Sequence, residues 1–101
     1  MSLIYEQGDI LKVDHIKYPM LVVSKNTFNK TGYAVCCPIV KDLIPGPLHI
    51  PIDASHTAGV TICEQLKYLD LRSRRFFRSD SVSMKNIMDI TDAVQGLFDY
   101  Y

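Results

Sequence analysis

The sequence predicts a small, mainly β domain closed by one C-terminal helix, and three observations carry that expectation. Five or six short apolar runs are separated by Gly, Pro, Asn and Asp punctuation, the pattern of a small barrel or sandwich. Near residue 83 the apolar spacing changes to steps of three and four, the period of a helix with one buried face. A chain of 101 residues, 48% hydrophobic and 22% charged, has material for one globular core and excludes disorder.

Each element has a local reason. Gly8-Asp9 is turn-like, and from Ile10 the run Ile-Leu-Lys-Val-Asp alternates well enough for a first strand over 9–14. Tyr18-Pro19 interrupts the ladder, and residues 15–18 have the length of a tight hairpin turn. Met20 to Ser24 is too short for a helix and rich in branched residues, so it reads as a buried strand. Residues 25–32 form a polar turn in which Gly32 takes a positive φ. Tyr33–Val40 is another buried strand. After Pro45-Gly46-Pro47, the run Leu48–Ile52 contains Pro51, which cannot donate to a ladder and marks an edge strand. Gly59–Gln65 reads as a further strand, with Leu66–Leu71 as its continuation or a sixth. Met84, Ile87, Ile90, Val94, Leu97 and Phe98 then define an amphipathic helix, with Ser81 or Ser83 as its cap and Gly96 weakening its last turn.

Several function classes fall away. Eleven basic residues balance eleven acidic ones, so no overall positive charge draws the chain to nucleic acid. A neutral small domain also lacks the repulsion that keeps copies apart, which makes self-association an expectation. No apolar run approaches the length of a membrane span, and residues 1–6 lack a signal-like pattern; a cytoplasmic protein without membrane contact is expected. Cys36, Cys37 and Cys63 form no C-x-x-C pair, and the adjacent two point to opposite faces of a strand, so they read as buried apolar side chains. His15, His49 and His56 are dispersed, and neither a metal site nor a cofactor is expected. No nucleophile elbow, P-loop or dinucleotide fingerprint is present.

The neutral total hides a division. Residues 67–78 carry Lys67, Arg72, Arg74, Arg75 and Arg78 against Asp70, whereas residues 79–101 carry Lys85 against Asp80, Asp89, Asp92 and Asp99. Tyr68, Phe76 and Phe77 interleave the basic run, as aromatic faces on which unstacked bases lie. The alternative reading is a solvated turn between the last strand and the helix, with the two Phe partly in the core.

In order along the chain, Gly8-Asp9-Ile10-Leu11, Pro19–Ser24, Phe28-Asn29, Pro38-Ile39, Pro47–Ile50, Gly59-Val60, Cys63–Asp70 and the terminal helix resemble the MazF/PemK toxins over nearly the whole length. The resemblance implies a single domain, 1–101, with an SH3-like β-barrel and a C-terminal helix, working as a homodimer. It implies the toxin of a type II toxin–antitoxin system that cleaves single-stranded RNA without metal until an antitoxin covers it. The related CcdB toxins keep the fold but inhibit DNA gyrase, and the corresponding tail here is Phe98-Asp99-Tyr100-Tyr101. A third possibility is a binding module for RNA or an acidic antitoxin peptide, without catalysis.

Carried over residue by residue, the resemblance is incomplete. The family's catalytic Arg before the strand-two proline is Tyr18 here, with Lys17 one residue earlier; the preceding loop is shortened; and the Thr ending the Pro-Ile-Thr strand is Val40. The family's acid-Gln pair persists as Glu64-Gln65, followed by the basic Lys67. The expected catalytic set is therefore Glu64 as base, Lys17 as cation, and Tyr18 or His15 as acid. Gln65, Lys67, Arg72, Arg74, Arg75 and Arg78 are the expected RNA contacts.

Overall fold

A computed structural model describes residues 4–98. In chain order the elements are β1 (Asp9–Val13), β2 (Met20–Val22), α1 (Asn26–Asn29), β3 (Tyr33–Val40), β4 (His49–Pro51), β5 (Val60–Ile62), β6 (Lys67–Asp70), β7 (Phe76–Ser81) and α2 (Met84–Gly96). All pairings are antiparallel. The hydrogen-bonded path runs β4-β5-β3-β2-β1-β7, and β6 pairs with β3 off that path. The sheet is barrel-like in its curl, but its path ends at β4 and β7 without closing.

β3 is long enough to serve both halves. Along one edge it pairs with β2 (Met20↔Pro38, Val22↔Cys36). Along the other its first half pairs with β6 (Tyr33↔Asp70, Cys36↔Lys67) and its last residues with β5 (Val40↔Val60). As Pro51 predicts, β4 lies at the end of the path, bonded to β5 alone.

The apolar runs are continuous because this sheet is buried on both faces. One cluster gathers Tyr5, Leu11, Val13, Met20, Val22, Ala34, Cys36, Leu69 and Leu71. The other gathers Ile10, Leu21, Val23, Cys37, Ile39 and Cys63 beneath Ile87 and Ile90 of α2. Neighbours such as Cys36 and Cys37 thus serve opposite cores, as the two-residue period requires. Ile87 and Ile90 each contribute about 1.5–3 kcal/mol by burial. Ser83 caps α2, its hydroxyl accepting from the Asn86 amide at 3.1 Å, and Asp53 in turn accepts from the Ser83 amide at 2.9 Å.

Three local expectations are corrected. Residues 26–29 of the polar turn form a helical turn, held because buried Asn29 donates from Nδ2 to the Ser24 carbonyl at 3.0 Å and its own carbonyl accepts from the Tyr5 hydroxyl at 3.0 Å. The strand expected over 59–65 is limited to Val60–Ile62, and a turn at Cys63–Leu66 separates it from β6. Residues 76–81, for which the sequence predicts no strand and of which 76–78 fall in the solvated turn of the alternative reading, form the edge strand β7. It pairs with β1 through Asp9↔Ser81, Lys12↔Phe77 and Val13↔Phe76, with a bulge near Ile10/Leu11. β7 carries no apolar alternation because its one buried residue is Asp80.

Candidate functional site

The β1–β2 turn, the C-terminal end of β3, the segment before β5 and the edge strand β7 enclose a cleft of about 690 Å³. Its walls are positioned by backbone bonds. Ile39 N donates to Pro19 O at 2.9 Å, which brings Tyr18 beside Val40 and Lys41. Gly59, at φ +148, lies so close to Ile39 and Val40 that the preceding His56, Thr57 and Ala58 form the facing wall. The His56 amide donates to Asp80 Oδ2 at 2.7 Å, tying that wall to β7. This bond, ahead of the Ser81 amide, holds the Asp80 carboxyl below the usual carboxylate range.

Lys12, Lys17 and Lys41 line the cleft, and among the described residues no carboxylate does. The Lys17 ammonium stands 5.2 Å from the centroid of the Tyr18 ring, within cation–π reach. His56, Thr57 and Ser79 supply the remaining polar side chains. The charge of such a surface suits a polyanion, and imidazole, phenol and ammonium groups are chemically capable of proton transfer and charge stabilisation.

The four expected catalytic residues do not meet. Lys17 and Tyr18 line the cleft, and His15, at φ +67, lies in a separate hollow of about 220 Å³ with Asp14, Ser73, Arg74 and Arg75. Glu64, in the turn after β5, is 2.6 Å from His49 Nε2. That hydrogen bond is the main cause holding its carboxyl below the usual range, which weakens it as a base. Gln65 and Lys67 are exposed beyond it, Lys67 opposite Cys36 in the middle of β3 and the cleft at the Val40 end.

The expected RNA contacts divide as well. Arg72 bonds Asp70 at 3.1 Å and lies 4.5 Å from the Tyr33 ring centroid, while Tyr33 stacks on Tyr68 at 4.9 Å. Arg78 bonds Asp9 at 2.9 Å. Phe76 turns inward to meet Tyr5 edge-on at 5.7 Å, whereas Phe77 is 63% exposed. The Cys36 and Cys37 thiols are pushed up to about 12 and Cys63 to about 11, all chiefly by burial, and none is a nucleophile. Among the described residues no three metal-ligating side chains converge, and no helix is long and apolar enough to cross a membrane.

Sequence reasoning did not single out Lys12, Lys41, His56, Thr57 or Ser79. The signal present was Lys12, a cation breaking the apolar run of β1. Only strand pairing reveals the others, because the register that sets Pro19 against Ile39 is non-local. Tyr18 and Val40, the positions at which the sequence resemblance implies an Arg and a Thr, both line this cleft.

Comparison with solved structures finds the same fold. The MazE–MazF complex from Deinococcus radiodurans (form I) superposes with a TM-score of 0.82 at 21% identity, covering 95% of this chain and 97% of that one. An endoribonuclease from a mycobacterial species matches with a TM-score of 0.79 at 17% identity, over 93% and 90% of the two chains. A mycobacterial endoribonuclease in complex with its cognate antitoxin matches with a TM-score of 0.75 at 15% identity, over 99% and 100%. Among curated proteins no relative matches the chain. The model of the PemK-like, MazF-like toxins of type II toxin–antitoxin systems matches residues 6–98, and with that span covering nearly the whole fold, the chain belongs to that family.

Proposed function

We propose that this toxin arrests growth by binding and cutting single-stranded RNA in the lysine-lined cleft. The observation that carries the reading is the convergence of Lys12, Lys17 and Lys41, with no carboxylate among the described residues, around Tyr18 and Val40. The lysines supply the positive charge that the Arg-less site needs, and His56 supplies a proton acceptor inside the cleft. In the reaction His56 takes the proton of the ribose 2′-OH, and the freed oxygen attacks the adjacent phosphorus. The bond to the 5′-oxygen breaks, Tyr18 returns a proton to that oxygen, and a cyclic phosphate and a 5′-hydroxyl result. The lysines stabilise the extra negative charge on phosphorus. His56 takes the base role in preference to Glu64 because Glu64 is bound to His49 and does not line the cleft.

Incubation of purified protein with a long single-stranded RNA and a chelator tests this, with cyclic-phosphate ends expected. Removing one preorganised charge-stabilising group costs about 10²–10³ in rate. His56→Ala and Lys17→Ala should fall by that order, and Glu64→Ala should stay close to the parent. Intact RNA with the parent protein overturns the reading.

An antitoxin protein is the proposed partner, supported by the complexed neighbours in the same fold. The proposed assembly is a homodimer acting in the cytoplasm, where messages are translated. Growth arrest on induction, relieved by the partner, tests the toxin role. The alternative of a gyrase-type inhibitor rests on the tail, of which Asp99, Tyr100 and Tyr101 lie outside the described residues.

A further inference from the structure

The four arginines of the basic run have two fates. Arg72 and Arg78 are held by Asp70 and Asp9. Arg74 and Arg75 are exposed, and among the described residues neither lies within ion-pairing distance of a carboxylate. Both instead line the hollow of about 220 Å³ with His15 and Ser73, where Asp14 is the single acid among the described residues. The hollow exists because the β1–β7 pairing continues past Val13↔Phe76. Asp14 N donates to Arg75 O at 2.9 Å and brings the arginine loop alongside the β1–β2 turn.

Between this hollow and the cleft stands Phe77. Its neighbour Phe76 faces the core, so Phe77 shares the outer face with Arg75, two residues away. Phe77 is 63% exposed and pairs across the sheet with Lys12, a cleft residue. Among the described residues its ring joins none of the aromatic stacks or cation–ring contacts that occupy Tyr33, Tyr68 and Tyr18. From Arg75 to Ser79, which lines the cleft, the strand covers about 13 Å at roughly 3.3 Å per residue. The outer face thus reads as guanidinium pair, free aromatic ring, lysine, cleft.

We infer that the stripe from the His15–Arg74–Arg75 hollow across Phe77 is a second subsite that holds single-stranded RNA flanking the cleft. In it a phosphodiester is bound by the two arginines, and a base is stacked on Phe77. The subsite rests on the proposal that the cleft takes RNA, and it extends the footprint beyond the bonds that react. An acidic peptide would use the arginines but would have no need of an unoccupied ring between two cationic sites. A nucleic-acid strand alternates anion and flat base, which is what this face alternates to meet.

The test measures binding of the full chain to labelled, random-sequence RNA with 2′-O-methyl riboses, which removes the attacking hydroxyl. Two lengths are compared, of about four and about twelve nucleotides, the shorter filling the cleft alone. Phe77→Ala is expected to weaken the longer strand by about tenfold, from the loss of one stacked base. Phe77→Tyr should restore it, and the short strand should be nearly unaffected by either. For Arg74→Ala/Arg75→Ala, the slope of log affinity against log salt for the longer strand should fall by about 1.4, two contacts at about 0.7 each. Variants that bind the longer strand like the parent, or that weaken both lengths equally, overturn the subsite while leaving the cleft reading intact. So does an arginine variant that loses affinity for poly-glutamate but not for RNA. A parent protein that binds neither length overturns the cleft reading itself.

Discussion

Gly59→Ala probes the contact that shapes the cleft. A methyl group added at Gly59 would stand 2.7 Å from Ile39 Cγ2 and 3.0 Å from the Val40 carbonyl oxygen, whereas carbon atoms in good contact are about 3.5–4.0 Å apart. Neither neighbour has room to yield: Ile39 is 2% exposed within the second core, and Val40 is paired with Val60. Overpacking of this kind costs about 1–3 kcal/mol. The residue must also hold φ +148, and forcing a side chain into such a conformation adds about 1–3 kcal/mol. Taken together, about 2–6 kcal/mol is expected, a large part of the roughly 5–15 kcal/mol that holds a domain folded. For a chain of this size the melting temperature should drop by at least about 8 °C. Urea and thermal unfolding followed by circular dichroism measure this, at one protein concentration so that association does not contribute. Gly96→Ala is the control, because among the described residues nothing lies within 4 Å of its added methyl and Ala in a helix is favoured by about 0.5–1 kcal/mol. If Gly59→Ala melts with the parent while Gly96→Ala gains stability, the close approach of β5 to β3 is wrong, and the cleft wall with it.

Three further outcomes follow from buried and titrating groups. Thr61 Oγ1 is buried without a hydrogen-bond partner among the described residues, so Thr61→Val should unfold at the same or a higher urea concentration, by up to about 1–2 kcal/mol; a marked loss would reveal a partner. Ser83, His49, Arg72 and the His56 amide are the leading causes that hold Asp53, Glu64, Asp70 and Asp80, respectively, below the usual carboxylate range. Each contributes stability that is present above its unfolded value, about 4, and lost as the pH falls through the lower folded value. Stability measured by urea unfolding should therefore decline below about pH 4, and Asp80→Asn should flatten that decline; a pH-independent parent would refute the assignment. With Cys36 and Cys37 pushed up to about 12 and Cys63 to about 11, iodoacetamide at about pH 8 should label none in the folded protein and all three after unfolding. Rapid labelling of the folded protein would contradict their burial.

The elements legible from the sequence are those whose pattern is local. β1, β2 and β3 announce themselves as branched apolar runs, β4 as an edge through Pro51, and α2 through its three- and four-residue spacing. β7 was illegible because an edge strand needs no apolar alternation when its inward groups are Phe76 and a hydrogen-bonded Asp80. α1 was hidden for a similar reason: its turn is held by the long-range bond from Tyr5 to Asn29, not by helix propensity.

The candidate site follows the same rule. By itself the sequence determined the family resemblance and pointed to Tyr18 and Val40, with Lys17 beside Tyr18. It also located a basic run interleaved with aromatic residues. Only the tertiary structure separated Glu64 and His15 from Lys17 and Tyr18. It also paired Arg72 and Arg78 with neighbouring carboxylates, left Arg74 and Arg75 without an ion-pair partner among the described residues, and gathered Lys12, Lys41 and His56 at one cleft. The physical reason is register. A strand's own residues fix which face each side chain takes, but which distant cations become neighbours depends on how β1, β3, β5 and β7 are paired. That pairing is decided by the two cores the sheet buries together.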